Sequence, residues 1–199
     1  MTELLQNGLL LHLEADELAG AGGSIVSEFT DLSGNECHLA ATGNQPVIKE
    51  NAVNGKKSVL FDGTNAPLVY SGALTLKSCF VLCKVNGGFT DYAGIISAVT
   101  GHGLLAGLPN TSRLYDFAYD FYEFRINDLI VSPVETWSGG DKVAVHQPEI
   151  PPGEWKIIYF SIYRGLVLDG IQLGKDRNFP GRLFNGEIAL VASYNRTFD

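Results

Sequence analysis

Residues 31–42 read DLSGNECHLAAT. Asp31, Ser33 and Asn35 alternate, with Gly34 between the last two. Such a stretch fits either the oxygen-rich start of a calcium loop or a tight turn between two strands. A helix–loop–helix calcium loop counted from Asp31 needs Gly at its sixth position and Glu at its twelfth. The chain has Glu36 and Thr42 there. The turn reading therefore governs. Asp31 and Ser33 are expected to bond nearby backbone amides, and Gly34-Asn35 to reverse the chain.

Strand signals surround that turn. Short runs rich in β-branched and aromatic residues recur between Gly, Pro, Asn and Asp clusters. No window keeps an i, i+3, i+4, i+7 apolar pattern for three turns. Strands are expected near 9–14, 24–30, 46–49, 57–62, 78–85, 93–98, 114–119, 122–127, 141–145, 155–163, 165–172 and 182–194, the last interrupted by the turn-forming Asn185-Gly186 pair. WKIIYFSIY (155–163), then Arg164-Gly165, then LVLDGIQLG (166–174) reads as a hairpin. Asp169-Gly170 in its second arm marks another turn or a bulge. In LYDFAYDFYEFRIN (114–127) Tyr115, Phe117, Tyr119 and Phe121 alternate with polar and small residues, and the parity flips from Tyr122 onward. That flip points to a bulge or corner near Phe121. The aromatic face is read as the inner side of a sandwich before a platform for sugars.

Many strands without helices indicate an all-β fold of two packed antiparallel sheets. The 199 residues suit one domain, 1–199, with neither linker nor internal repeat. With 45% hydrophobic and 18% charged residues there is material for a core, and 23 glycines suit many turns. The formal charge of −8 and the absence of a basic cluster disfavour nucleic acid. No run reaches membrane-spanning length. The start lacks a basic leader, and Leu9–Leu13 is a short apolar run broken by His12, so no signal peptide is expected and the chain is expected to be made in a cytosol. The odd count of three cysteines argues against a disulfide framework. Cys79 and Cys83, on one strand face about 13 Å apart, are expected as buried thiols.

Five segments in order, NGLLLHLEADEL, VSEFTDLSGNECHLAAT, NGKKSVLFDGTNAPL, GEWKIIYFSIYRGLVLDGIQLG and FNGEIALVASYNRTF, resemble the concanavalin A-like, laminin-G-like jelly-roll domains. The likeness runs from Gly8 to Phe198. His12 and Phe29 stand where that family usually has Trp, and the helical tail usual in that family after Tyr-Asn-Arg is not expected here. The resemblance implies a two-sheet antiparallel β-sandwich of concanavalin A-like jelly-roll topology. It names no function, because the fold hosts lectins, glycanases, adhesion modules and virion proteins. FDGTNAPL is read as strand, turn and strand at a sheet edge. In FNGEIALVASYN, Ile188, Leu190, Ala192 and Tyr194 alternate with Glu187, Ala189, Val191 and Ser193, as in a strand entering a sandwich centre.

Chemistry is sparse. Laminarinase-like members of the fold carry Glu-x-Asp-x-x-Glu or Glu-x-Asp-x-Glu. EADELAG offers Glu14 and Asp16 without the second Glu, so a glycosidase pair is not read. No Gly-x-Ser-x-Gly elbow and no zinc spacing occurs, and a non-enzyme is expected. No cofactor is implied. The resemblance allows calcium at the sandwich rim, with no readable signature here. Asn110 and Asn195 begin sequons that matter only in a secreted protein.

Ligand candidates are the long loops 100–113 and 132–154: His102, Asn110, Trp137 and Asp141. Fold class and missing export signal together point to a non-catalytic, surface-exposed structural or binding protein. The expected setting is a phage virion, as capsid decoration or tail or fibre adhesin. The alternative is an extracellular carbohydrate-binding lectin or adhesion module, and a glycoside hydrolase comes third. Expected partners are other virion proteins or a glycan, and self-assembly into a homo-oligomer is left open.

Overall fold

The computed structural model describes residues 5–89, 91–107, 109–116, 121–127, 129–133, 137–138, 141–142 and 149–198. In chain order its strands are β1 (Leu9–Glu14), β2 (Glu28–Phe29), β3 (Leu39–Ala41), β4 (Val47–Val53), β5 (Lys56–Asp62), β6 (Leu68–Tyr70), β7 (Leu74–Val85), β8 (Gly94–Ser97), β9 (Gly103–Gly107), β10 (Leu114–Asp116), β11 (Phe121–Ile126), β12 (Leu129–Pro133), β13 (Trp137–Ser138), β14 (Asp141–Lys142), β15 (Trp155–Leu168), β16 (Ile171–Leu173) and β17 (Asn185–Tyr194). A 3-10 turn at Ala15–Glu17 follows β1. Among the described residues no helix is long and apolar enough to cross a membrane.

Two antiparallel sheets form the sandwich. The larger runs β12-β11-β15-β7-β17-β5-β4, and the smaller β10-β9-β8-β16-β6-β3-β2. β13 and β14 form a separate ribbon. One edge of β17 is shared: β5 pairs along Asn185–Ile188, and β1 along Leu190–Tyr194. Period-two side chains explain the layering. On β1, Leu11 and Leu13 point into the core, while His12 and Glu14 point outward. Phe61, Val81, Cys83, Phe160 and Val191 of the larger sheet meet Leu39, Leu68, Ile96, Leu105 and Leu173 of the smaller. Each fully buried side chain of this size contributes about 1.5–3 kcal/mol. Phe29 is fully buried. Cys79 and Cys83 share the inner face as free, buried thiols, and burial pushes each up to about 12.

DLSGNECHLAAT is a clamp. The Asp31 carboxylate accepts the backbone amides of His12 (2.9 Å), Ser33 (2.9 Å) and Cys37 (3.0 Å) and the Ser33 hydroxyl (2.7 Å). Asn35 Nδ2 donates to the carbonyls of Leu9 and Leu10. The turn expected at Gly34, which has φ +87°, thereby ties the loop to β1.

Several expected elements differ. The Arg164-Gly165 hairpin is absent: β15 continues through it, with Ser161 opposite Ser78 and Leu166 opposite Leu76. The intervening residues form a bulge, with Gly165 at φ +73°. β7 pairs with β15 on both sides of the bulge, which outweighs the local turn preference. The chain reverses instead at Asp169-Gly170, where Asp169 accepts the Thr100 amide at 3.1 Å. Asn185-Gly186 is not a turn but the start of β17, held between β5 and β7. FDGTNAPL makes its turn through Asp62 and Asn65. Its two strands lie in different sheets, so it crosses the sandwich rather than sealing one edge.

Parity also shifts within β17. A bulge between Ile188 and Leu190 places Ile188 and Val191 in the core, and Ala192 and Tyr194 in a second apolar cluster on the outer face. The single alternation read across FNGEIALVASYN is thus broken at Ala189. The parity flip near Phe121 does coincide with a register shift between Phe121 and Glu123. There the chain passes from the smaller sheet at β10 to the larger at β11. Residues 117–120 lie outside the described residues. Strand β9, GLLAG, was not expected, since 100–113 was read as one long loop; pairing with β8 on one side and β10 on the other makes it a strand, fully buried.

Candidate functional site

The outer face of the larger sheet carries a cleft with two unlike halves. Its apolar half, 370 Å³, is walled by Phe80, Leu82, Ile157, Leu190, Tyr194 and Phe198, with Leu5 and Ala192 completing it. Its polar half, 130 Å³, is lined by Glu14, Asp16, Asn54, Lys56 and Lys57, with Val53 and Ala189. Leu82 and Leu190 line both, so the two lie side by side on this face. β7 and β17 form the floor, β15 one wall, and β1 with the β4–β5 turn the polar end.

The strand registers explain the placement. Ile157 lies opposite Leu82, and Tyr159 opposite Phe80. Leu82 lies opposite Leu190, and Phe80 opposite Ala192. Glu14 of β1 extends the Leu190 row, and His12 the Ala192 row. The bulge in β17 brings Leu190 onto the same face as Glu187.

The apolar wall is held in place by its own rings. Phe80 lies 4.6 Å from Tyr159 and 5.4 Å from Phe198, and Phe198 meets Tyr194 edge-on at 4.6 Å. The Phe198 amide donates to the Tyr159 hydroxyl at 3.3 Å. Edge-to-face pairs of this kind add about 0.5–1.5 kcal/mol beyond burial. The rim stays open: Ile157 is 49% exposed and Leu5 60%.

At the polar end Asp16 accepts from the Lys56 ammonium and from the Lys57 amide. The Lys56 bond leads in holding the Asp16 carboxyl below the usual carboxylate range, with the Lys57 amide adding to it. Lys56 is pushed up in turn. Lys57 Nζ donates to the Leu18 carbonyl at 2.7 Å. His12 Nε2 lies 3.6 Å from Glu14 Oε2 and is buried without a hydrogen-bond partner. Just beyond, the buried Glu187 carboxylate meets Lys49 and Lys84, each at 2.7 Å, and Ser58 Oγ at 2.9 Å. Lys84 also lies over the Trp155 ring.

The four residues singled out from the loops fall on two elements, β9's flanks and the β13–β14 ribbon. His102 and Asn110, both exposed, flank opposite ends of β9. Asn110 donates its amide to the Phe89 carbonyl at 2.6 Å. Trp137 and Asp141 lie on the β13–β14 ribbon, in adjacent register pairs; their side chains, and residues 143–148 of the same loop, lie outside the described residues. Glu14 and Asp16, weighed as a glycosidase fragment, both line the polar half of the cleft. Among the described residues no three His, Cys, Asp or Glu side chains gather to hold a metal ion.

Loop-based reasoning missed the cleft because it lies on a sheet face. One signal was present. SCFVLCKV (78–85) is apolar in both parities, the mark of a strand covered on both faces.

No protein-family model matches the sequence, and no curated protein matches it. Among solved structures similar in chain course, two are described. One is domain 4 of AbnA, a GH43 extracellular arabinanase from Geobacillus stearothermophilus, in complex with arabinotriose. Its TM-score is 0.49 at 15% identity, over 94% of this chain and 91% of that one. The other is Trypanosoma rangeli sialidase in complex with 2,3-difluorosialic acid. Its TM-score is 0.44 at 10% identity, over 97% of this chain and 32% of that one.

Proposed function

We propose that the chain is a non-catalytic carbohydrate-binding module of the laminin-G-like sandwich type, and that it takes a sugar chain along the outer-face cleft. One observation carries this reading: the ring-walled apolar half lies beside the half lined by Glu14, Asp16, Asn54 and Lys57, with Leu82 and Leu190 lining both. A sugar presents an apolar C–H face and a rim of hydroxyls. The first suits aromatic and aliphatic walls, and the second suits carboxylates, amides and ammonium groups. The rings pack on one another and so hold this wall in shape, which limits the ordering cost of binding.

The two acids of the polar half, Glu14 and Asp16, lack the second glutamate of the laminarinase-like pattern, and Asp16 is engaged by Lys56, which favours binding over hydrolysis.

The test is calorimetric titration with neutral oligosaccharides of at least three sugars, on the parent and on Ile157→Asp. Saturable binding, lost in the variant while its circular dichroism is unchanged, supports the reading. A panel with no binding, or binding indifferent to Ile157→Asp, would remove it. Trp137 and Asp141 stand as candidates for a peripheral contact, tested by Trp137→Ala in the same titration.

A second reading, a structural component of a virion surface, is favoured by exposed Leu5, Ile157 and Val167 on this face. It predicts assembly into a symmetric oligomer or particle by light scattering, with no saturable sugar binding.

A further inference from the structure

The β4–β5 hairpin does more than line the cleft. Its tip is a two-residue turn, Asn54-Gly55, with Val53 paired to Lys56 across it. Both turn residues have positive φ, +49° and +77°, as tight hairpin turns prefer. Just before the tip, Asn51 at φ +51° lies in a register shift between Lys49 and Val53. A bulge of this kind bends its strand. The tip accordingly leaves the plane of the sheet: Val53 and Asn54 stand over the outer face and line the polar half together with Leu82 and Leu190.

Both corners of the tip are fastened. On the β15 side, Trp155 Nε1 donates to the Ala52 carbonyl at 2.9 Å. On the β1 side, Lys56 Nζ and the Lys57 amide donate to Asp16, and Lys57 Nζ donates to the Leu18 carbonyl. β15 and β1 flank the β7–β17 floor on opposite sides, so the hairpin lies across that floor as a bar. The floor beyond it is covered. Lys84 and Glu187 form the row next to Leu82 and Leu190. Glu187 and its partner Ser58 are fully buried, and the Trp155 ring centre lies 5.1 Å from Lys84 Nζ. The opposite margin, at Ile157 and Leu5, is open.

We propose that the cleft is blind at its polar end and takes the terminal unit of a neutral sugar chain, not an internal stretch; this rests on the sugar-binding reading of the cleft. At 130 Å³ the polar half is about a third the size of the 370 Å³ apolar half. The last unit enters the closed end, and the units behind it leave over Ile157. An internal unit carries a glycosidic oxygen where a terminal unit carries a hydroxyl, and only the hydroxyl can donate. Glu14 and Asp16 place acceptors at the closed end, which favours the unit with the additional donor. Trp155 is a positioning residue here: it holds the bar through Ala52.

The test is calorimetric titration with cello-, xylo- and malto-oligosaccharides of three or more sugars, each free, methylated at its non-reducing terminal hydroxyl, or methylated at its reducing end. One of the two caps should weaken binding at least about tenfold, the scale of a lost hydrogen bond to a charged group. A long soluble polymer of the sugar that binds should take up a single protein per chain. Trp155→Phe, which keeps a ring beside Lys84 and removes the donor to Ala52, should narrow the ratio between free and capped sugar while circular dichroism stays unchanged. Binding that is lost in Ile157→Asp yet indifferent to both caps, or several proteins on one polymer chain, overturns the blind end and leaves the cleft reading standing. A panel with no binding at all removes both.

Discussion

The Asp31 carboxylate accepts the backbone amide of His12 at 2.9 Å, tying a loop to a strand nineteen residues earlier in the chain. The same two oxygens hold Ser33 and Cys37. Asp31 is 6% exposed, so the donors it satisfies have little access to water. Asp31→Ala should cost about 3 kcal/mol, the loss expected when buried donors to a charged acceptor are orphaned. Urea denaturation of parent and variant measures it. A cost under about 0.5 kcal/mol, the range of an ordinary surface change, would show that the loop is not clamped by this residue.

Stability should fall in acid for two named reasons. Burial alone would raise the Asp31 carboxyl; the amides of His12, Ser33 and Cys37 and the Ser33 hydroxyl outweigh it and hold it below 3.8. Burial would likewise raise Glu187; Lys49, Lys84 and Ser58 outweigh it and hold it below 4.5. A carboxyl depressed in the folded state stabilises the fold above its unfolded value, and that contribution is lost as pH falls through the folded value. The loss should therefore begin near pH 4.5 and continue below pH 3.8. Glu187→Gln should flatten the upper part of this dependence, and at pH 7 should cost about 3 kcal/mol for a broken buried pair. Denaturant midpoints against pH test both.

The thiols give a cheap check of the core. With burial raising Cys79 and Cys83 to about 12 and Cys37 also upward, chiefly by burial, almost no thiolate exists at pH 8. A thiol reagent should leave the native protein unmodified over an hour and titrate all three cysteines in denaturant. Rapid native labelling of even one would contradict the packing described.

Gly94 should tolerate no side chain. Its Cβ would strike backbone, which cannot swing aside as a side-chain end can. Gly94→Ala should cost about 2 kcal/mol, in the range of overpacked sites, read as a lowered urea midpoint.

Strand content, the two-sheet class, the Asp31 turn and the buried cysteines were all legible along the chain, because each depends on residues close together. The Arg164-Gly165 hairpin shows where that reading ends. A turn-forming pair bends the chain only if no partner holds it straight, and β7 supplies ten register pairs to β15. GLLAG became a strand for the same reason: its neighbours bury it. The loops drew the search for a site, yet the cleft formed on a sheet face.

The sequence by itself determined the period-two layering, the glycine and Asx turns and the supply of apolar side chains, since these follow from local backbone geometry and side-chain type. Only the tertiary structure decided which residues meet across the outer face. The bulge at Ala189 resets the parity of β17, bringing Leu190 and Tyr194 out beside Phe80 and Leu82. The left-handed turn at Arg177 is likewise held by Ser97, eighty residues away. A one-residue shift in a strand, or a bond to a distant hydroxyl, carries no local signature, because its stability comes from partners that the neighbouring sequence does not contain.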